Sequence, residues 1–187
     1  MKKLFFASVT CTLLFLFSGC DKLKEYTTIK VDVPDLELSF DEIEVKNQES
    51  TLRADTYSYF EWLKSISIDD FGASLKKYDV SHFKGITSKS ASIRVYSTSG
   101  DNGKVEDLRI ETTGSSPLTF TINSYVLGTT YSNGDFKTFV EQLMFKMITQ
   151  PSVTFKISGK TDIPEGSKIA ATISVLDITV AVQVLKD

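Results

Sequence analysis

Apolar and polar residues alternate along much of the chain, and a period of two is typical of strands that bury one face. The first such stretch changes parity at Pro34, because the apolar positions are Ile29, Val31 and Val33 before it and Leu36, Leu38 and Phe40 after it. Since proline interrupts a strand, we expect the chain to bend there. Ile43 and Val45 predict a further short strand.

Two segments predict β-hairpins. Apolar positions at Ile93 and Val95 precede the polar, glycine-bearing segment 97–103, and Val105, Leu108 and Ile110 follow it. The same design recurs near the C-terminus, where Val153, Phe155 and Ile157 are followed by a turn over 163–167 and by Ile169, Ala171, Ile173 and Val175. Polar segments with glycine favour chain reversal, so each pair of strands is predicted to be a hairpin.

Two steps in the alternation predict irregular strands. Leu118, Phe120 and Ile122 share a parity that Tyr125 and Leu127 do not, so a turn or bulge is expected near Asn123, between two paired segments. After Leu176 and Asp177 the apolar set moves to even positions, at Ile178, Val180, Val182 and Val184. A bend near 176–177 would carry the chain along a curved sheet or from one sheet to another.

The spacing of apolar residues predicts one helix near 135–148. Its stripe consists of Phe136, Phe139, Val140, Leu143 and Met147. Asp135 or Ser132 is the expected cap, and Pro151 follows the end. Thr56 to Lys64 is a weaker second helix candidate. The expected fold is a mainly β, antiparallel, immunoglobulin-like β-sandwich with one or two short helices, formed by a single domain over residues 29–187.

The N-terminus has the pattern of a bacterial lipoprotein signal. Lys2 and Lys3 precede an apolar run from Leu4 to Phe17, which is shorter than the roughly 20 residues that a membrane-spanning helix needs. The run ends in Phe17-Ser18-Gly19-Cys20, which resembles a lipobox, although Phe17 stands where leucine is usual. We expect residues 1–19 to be cleaved, Cys20 to carry the lipid, and residues 20–28 to be a tether. The alternative is an ordinary cleavage site beside an incidental cysteine.

Charge and cysteine content exclude several functions. The chain has 24 acidic and 21 basic residues, and its formal charge of −3 becomes about −5 when Lys2 and Lys3 leave with the signal. Because no basic cluster offsets this charge, nucleic acid is not an expected partner. Cys11 lies in the signal, so the mature chain keeps Cys20 alone, which excludes an internal disulfide and a zinc site of thiolates.

The order of these features resembles the small uncharacterised lipoproteins of Bacteroidota: a lipobox, a tether, seven or eight short strands, a helix and a terminal pair of strands. Residues 153–166, with the Val/Ile-rich strand after them, are also similar to the last hairpin of late-embryogenesis-abundant β-sandwiches. The resemblance implies an immunoglobulin-like sandwich, and it brings no catalytic or binding residues.

Candidate chemistry is sparse. Tyr57, Tyr59 and Trp62 form the richest aromatic cluster and are the candidate ligand-binding residues, with core packing as the alternative. A triad of the single histidine, His82, with Asp79 and Ser81 or Ser88 lacks a nucleophile-elbow sequence. Residues with side-chain oxygens are the remaining candidates. Asp101-Asn102-Gly103 with Glu106 and Asp107 could bind calcium weakly, and Asp69, Asp70, Glu106 and Asp107 could provide paired carboxylates. We expect solvated turns there instead, and no catalytic residues, metal or cofactor.

The sequence therefore favours a non-enzymatic lipoprotein anchored in the cell envelope through lipid on Cys20. We expect it at the outer membrane, on the periplasmic side or at the cell surface, as an interaction module for an envelope protein or glycan. One alternative is a carbohydrate-binding surface lipoprotein. Another is a protein that binds lipid or an envelope polymer in a cavity between two sheets.

Overall fold

The computed structural model describes residues 25–47, 57–71, 73–114 and 116–186, with backbone alone for residues 70, 71 and 73. The predicted signal, Cys20 and the start of the predicted tether lie outside these ranges. The first strand begins at Tyr26, so residues 26–28 belong to the sheet and not to the tether.

Twelve strands and one α-helix form the described part of the chain, in three antiparallel sheets. The strands are β1 (Tyr26–Val33), β2 (Leu36–Glu44), β3 (Lys46–Asn47), β4 (Ser58–Ile66), β5 (Phe83–Thr87), β6 (Ser90–Ser97), β7 (Lys104–Thr112), β8 (Thr119–Val126), β9 (Thr130–Tyr131), β10 (Val153–Thr161), β11 (Lys168–Leu176) and β12 (Ile178–Leu185). The helix is α1 (Gly134–Thr149), and short 3₁₀ turns occupy Ile68–Phe71, Ala73–Leu75 and Val80–His82. The sheet orders are β1-β12-β5, β2-β11-β6-β9 and β3-β4-β10-β7-β8.

The first two sheets are halves of one bent ribbon. The strand order β1-β12-β5 of the first sheet matches the order β2-β11-β6 of the second. The chain bends between the matching strands, at 34–35 between β1 and β2, at Asp177 between β11 and β12, and at 88–89 between β5 and β6. Asp177 has a positive φ of 51°, and its backbone N–H donates to the Asp35 carboxylate at 2.7 Å. The bends predicted at Pro34 and near Leu176-Asp177 are confirmed, and the second carries the chain from one sheet into the next.

The five-stranded sheet packs face to face on the half of the ribbon that contains β2, β11 and β6. Phe40 of β2 meets Phe155 of β10 edge-on, with 5.3 Å between ring centroids. The Tyr125 hydroxyl of β8 accepts a hydrogen bond from Val95 N of β6 at 2.9 Å, which links the two sheets at another point. The mainly β sandwich is therefore confirmed, and its immunoglobulin-like variety stays a prediction.

Both predicted hairpins are wrong. β6 and β7 lie in different sheets, and so do β10 and β11, so the segments 98–103 and 162–167 cross the sandwich. Glycine and polar residues signal that the chain reverses, but a crossing between packed sheets reverses it as well. Inward-facing residues alternate along strands joined by a hairpin and along strands joined by a crossing between sheets. The alternation therefore does not show which strand is the hydrogen-bonded neighbour.

The irregularity expected near Asn123 is present, but it lies within one continuous strand, not between two. Ile122 and Tyr125 of β8 are both buried, and the two residues between them are exposed. Opposite them in β7, Asp107 has a positive φ of 51°, and β10 changes register against β7 between Ser158 and Lys160. The bulge lets both strands keep their apolar side chains in the core.

Helix α1 covers one side of the sandwich and packs on β5, β6 and β8. The predicted helix is confirmed, but neither predicted cap is correct, because Asn133 Oδ1 accepts the hydrogen bond from Phe136 N at 2.7 Å. Ser132 instead donates to the Ala91 carbonyl, and Asp135 lies in the first turn. Asn at the N-cap satisfies a backbone N–H that has no partner within the helix.

The second helix candidate, Thr56 to Lys64, is wrong, because residues 58–66 form β4. Phe60 and Trp62 are buried on the inner side, whereas Leu63 is 63% exposed. Aromatic residues favour strands, and the helical spacing of Tyr59, Phe60 and Leu63 does not correspond to a buried stripe.

Candidate ligand cleft

One edge of the sandwich opens where β2 and β4 separate. The chain of β2 continues into β3, which pairs with β4 through Lys46 opposite Tyr59. Val45 at this junction is buried and exchanges backbone hydrogen bonds with Gly166 and Ser167. Beyond the junction β2 and β4 belong to different sheets, so we call the opening between them the seam.

Side chains of β4 close the deeper part of the seam. Trp62 Nε1 donates to the Asp41 carbonyl at 2.8 Å, and Lys64 Nζ donates to the Ser39 carbonyl at 2.5 Å. These carbonyls belong to β2, which is an edge strand with one paired neighbour, β11. Side chains thus satisfy edge acceptors that would otherwise be open to another strand.

Outside this closure lies a concave site of about 700 Å³, which we call the seam cleft. It combines carboxylates, an ammonium group, a phenol and a hydroxyl with an apolar floor. Its lining residues are Ile43, Glu44, Lys46, Tyr59, Phe60, Glu61 and Ser158. A smaller hollow of about 290 Å³ shares Ile43 and Glu61 and extends the site towards Lys64. Polar groups converging over apolar side chains are the composition of a ligand site.

Charges beside the seam cleft are held by an ion-pair network on the outer face of the five-stranded sheet. Lys156 Nζ lies 3.4 Å from Glu61 Oε2 and 3.0 Å from Glu111 Oε1, and Arg109 lies 2.7 Å from Glu111. The hydrogen bond from Lys156 lowers the pKa of Glu111, and that bond raises the pKa of Lys156. Both groups of that pair therefore stay charged at neutral pH.

The three predicted ligand-binding residues do not form one platform. Tyr59 lines the seam cleft, with the Lys160 ammonium 5.9 Å from its ring centroid. The Tyr57 hydroxyl donates to Glu106 Oε1 at 3.1 Å. Trp62 is 5% exposed and packs between Phe40 and Phe60, so its ring is not available for stacking on a ligand. Successive strand residues face opposite sides, so Trp62 and Tyr59 lie on different faces of β4, and Tyr57 precedes the strand.

The other polar candidates are occupied by local contacts. Asp79 Oδ1 accepts from both the backbone N–H and the hydroxyl of Ser81, and the Ser88 hydroxyl donates to Glu141. Asp101 N–H bonds to Ser97 Oγ. Within the described ranges, no group of three His, Cys, Asp or Glu side chains is placed to hold a metal ion. None of the helices described there is long and apolar enough to cross a membrane.

The remaining candidate carboxylates also have partners or lie apart. Asp69 pairs with Lys76 at 2.6 Å, and Asp107 lies 3.9 Å from Lys160. Glu106 accepts the Tyr57 hydroxyl, as described above, and the Asp70 side chain is not among those described. These contacts assign Asp69 to a surface 3₁₀ turn and Glu106 and Asp107 to the irregular part of β7.

Most of the seam cleft was not expected from the sequence. Glu44, Lys46, Glu61 and Ser158 come from β2, β3, β4 and β10, and none belongs to a motif. Tyr59 and Glu61 alternate with the buried Phe60 and Trp62, so both lie on the outward face of β4. The strand pairing that brings Lys46 and Ser158 to them depends on long-range contacts.

A second concavity, of about 460 Å³, lies beside α1. Ile86, Leu118 and Phe145 provide its apolar surface, and Lys146 spans its rim by donating to the Ser116 carbonyl at 2.9 Å. It is smaller than the seam cleft, and its lining is more apolar.

Comparison with known proteins adds little to this description. No protein-family model matches the chain, and no curated protein matches it. Solved structures that align with it include the decameric BFDV capsid protein, with 8% identity, a TM-score of 0.34, and coverage of 87% of this chain and 100% of that one. Desmodium yellow mottle tymovirus aligns with 10% identity and a TM-score of 0.32, over 87% and 85% of the two chains. Mud crab tombus-like virus aligns with 12% identity and a TM-score of 0.37, over 87% and 83%. Likeness at this level says nothing about function.

Proposed function

We propose that this protein is a non-enzymatic lipoprotein of the cell envelope, anchored through lipid on Cys20, whose β-sandwich binds a partner at the seam cleft. The anchor is inferred from the charged and apolar segments of residues 1–19 and from Ser18-Gly19-Cys20. A lipid-bearing cysteine with more than one acyl chain holds a domain at a membrane stably. The protein then functions by binding its partner at the membrane surface, without catalysing a reaction.

The seam cleft is the proposed binding site for the partner. It is the larger of the concave sites described above, and it presents Glu44, Glu61 and Lys46 around Tyr59. Strand pairing fixes the backbone of Lys46, Tyr59 and Glu61, and the ion pair with Lys156 holds the Glu61 carboxylate before a ligand arrives. A preorganised site loses less conformational entropy when it binds, which favours recognition.

Carbohydrate is the second candidate ligand. Tyr59 offers an aromatic surface, and the carboxylates of Glu44 and Glu61 can accept hydrogen bonds from hydroxyl groups. The buried position of Trp62 removes one of the three aromatic residues on which a sugar platform was predicted. A glycan ligand therefore depends on Tyr59 and the charged rim.

A lipid or envelope polymer between the sheets has less support. Large apolar side chains occupy the interior, and Phe155, Ile157, Ile93 and Ile173 are fully buried there. The concavity beside α1 is the place where an apolar ligand would fit. Native mass spectrometry of the purified protein tests this alternative, because it requires a bound mass above that of the chain.

Quantitative affinity capture from detergent-solubilised envelopes tests the seam cleft. The bait is the wild-type domain or a triple variant with Glu44→Gln, Lys46→Gln and Tyr59→Ala. A matched control carries Glu37→Gln, Lys30→Gln and Tyr96→Ala, which lie outside the lining of the seam cleft. We expect a protein or glycan that is enriched by the wild type and the control and lost with the seam variant. Equal enrichment by all three baits would exclude the seam cleft as the binding site.

Protease shaving of intact cells locates the domain. Loss of the wild-type domain from intact cells places it at the surface, and survival until the outer membrane is breached places it in the periplasm. The Cys20→Ala variant should leave the membrane fraction in either case. Retention of that variant in membranes would contradict the lipid anchor.

A further inference from the structure

Three chain positions meet at one end of the β1-β12-β5 sheet. β1 begins there, β12 ends there, and β5 begins there, as the antiparallel pairings of Tyr26 with Leu185 and of Phe83 with Val182 show. The 3₁₀ turn Val80–His82 leads into β5 and packs against β12. We call this region, formed by residues 25–27, 80–84 and 184–186, the tether end.

The tether end exposes large apolar side chains. Tyr26 is 48% exposed, Leu185 is 52% exposed and Val80 is 48% exposed. The other large apolar side chains exposed among the described residues are Leu63, Val126 and Leu176, which lie on three other strands. Single exposed apolar residues are ordinary, but a group of them at one end of a sheet indicates a contact surface.

The short segment between Cys20 and β1 would keep the tether end close to the membrane. Tyr26 is six positions after Cys20, with five residues between them, and a fully extended segment of that length spans about 20–22 Å at most. A lipid on Cys20 would therefore hold the tether end within that distance of the bilayer. The lysines beside the apolar group have partners within the tether end, since Lys84 Nζ donates to the Ser81 carbonyl at 3.2 Å and Lys186 Nζ lies 2.9 Å from Glu25 Oε2.

We propose that the tether end rests on the membrane surface, with Tyr26, Leu185 and Val80 in the interfacial region of the lipid. This inference rests on the lipid anchor of the proposed function. Tyrosine suits the interface because its ring is apolar and its hydroxyl is polar. The lipid supplies the attachment, and the apolar side chains set the orientation of the domain.

The orientation has a consequence for the seam cleft. β1 starts at the tether end, and the same chain reaches Ile43 and Glu44 after the whole length of β1, the bend and β2. The seam cleft and the tether end are therefore at opposite ends of this bent ribbon. In a domain seated on its tether end, the lengths of β1 and β2 along the ribbon separate the seam cleft from the residues that contact the lipid.

Fluorescence on vesicles tests the orientation with the full-length, lipidated protein. Leu185→Cys and Val80→Cys variants are labelled with an environment-sensitive dye and reconstituted into phosphatidylethanolamine and phosphatidylglycerol vesicles that contain a nitroxide-labelled lipid. Leu63→Cys on β4 is the matched control, because Leu63 is an exposed apolar residue outside the tether end. Vesicle flotation is measured on the same samples.

We expect all three variants to float with the vesicles, and the dye at 185 and at 80 to show a blue shift and loss of fluorescence that the dye at 63 does not show. Adding Tyr26→Ser and Leu185→Ser to the Val80→Cys variant should reduce that quenching while flotation persists. Flotation with equal quenching at all three positions would overturn the orientation alone. Failure to float would overturn the lipid anchor and the orientation with it.

Discussion

Trp62 is the single tryptophan of the chain, and its position shows whether it packs in the core or is exposed for ligand binding. Its ring is 5% exposed, and its N–H bonds to a backbone carbonyl of β2. We expect blue-shifted native emission that iodide quenches poorly. Unfolding in urea should shift the emission to the red and make it accessible to iodide. Red-shifted, readily quenched emission from the native protein would contradict the closed seam.

Gly159 lies where two strands and an aromatic ring approach closely. A Cβ at this position would lie 2.7 Å from Val105 Cγ1 and 2.9 Å from Phe60 Cζ. We expect Gly159→Ala to reduce the free energy of unfolding by about 1–3 kcal/mol, because the core must shift to admit the methyl group. Gly85→Ala is the control, since its Cβ would meet nothing within 4 Å. Urea denaturation of both variants measures the difference, and equal stability would contradict this packing.

Residue-scale burial was predictable where strand parity was clear. The inward sets of β1, β2, β10 and β11 follow the sequence pattern, and so does the core stripe of α1. The caps of α1 were assigned to the wrong residues because Ser132, Asn133 and Asp135 all have side chains that can accept the first-turn hydrogen bond. Backbone geometry selects among them, and a single sequence does not display it.

At the scale of elements, the start of α1 depends on Asn133. We expect Asn133→Ala to lower the free energy of unfolding by about 0.5–2 kcal/mol, because Phe136 N loses its acceptor. Asn133→Asp keeps an oxygen at the same position and should retain most of the stability. Thermal or urea unfolding followed by circular dichroism checks the order of the three proteins. A loss with Asp as large as with Ala would show that the cap is not the cause.

Glu141 joins α1 to the bend between β5 and β6. Burial alone would raise the pKa of its carboxyl group, but hydrogen bonds from Lys137 and Ser88 lower the pKa below its usual value of 4.5. A lowered folded-state pKa stabilises the protein above the unfolded pKa, and this contribution is lost as pH falls below about 4.5 through the folded pKa.

We therefore expect Glu141→Gln to be less stable than the wild type at neutral pH, with a smaller difference at acid pH. Urea unfolding over a pH series measures this convergence. Lys137→Gln removes one of the three donor groups and leaves the N–H and hydroxyl of Ser88, so it should give an intermediate profile. A constant difference between wild type and Glu141→Gln across the series would contradict the ionised contact.

Element types were more predictable than element partners. The alternation identified the strands around 93–95, 105–110, 153–157 and 169–175, but each predicted pair proved to be a crossing between sheets. Local turn chemistry acts over a few residues, whereas β6 pairs with β11 and β7 pairs with β10 through distant parts of the chain. The bends at Pro34 and Asp177 were predictable because the change of parity is itself a local signal.

At the scale of the whole molecule, the seam cleft could not be predicted from the sequence. Its residues come from four strands, and the divergence of β2 from β4 creates the space. Aromatic content identified Tyr59 but also drew attention to Trp62, which β4 turns inward. The proposed anchor, unlike the seam cleft, could be inferred from the sequence alone, because a signal and lipobox are linear patterns that need no fold to be recognised.

Site-specific photo-crosslinking in living cells tests the proposed function most directly. A photoreactive residue replaces Leu63, which is exposed and lines the hollow beside the seam cleft, or Thr121 on the exposed face of β8 as the control, in the wild-type protein and in the Cys20→Ala variant. We expect a discrete crosslinked product from position 63 that is absent from position 121 and lost with Cys20→Ala. Identical products from both positions, or a product from position 63 that persists without Cys20, would contradict an anchored module that binds through the seam cleft.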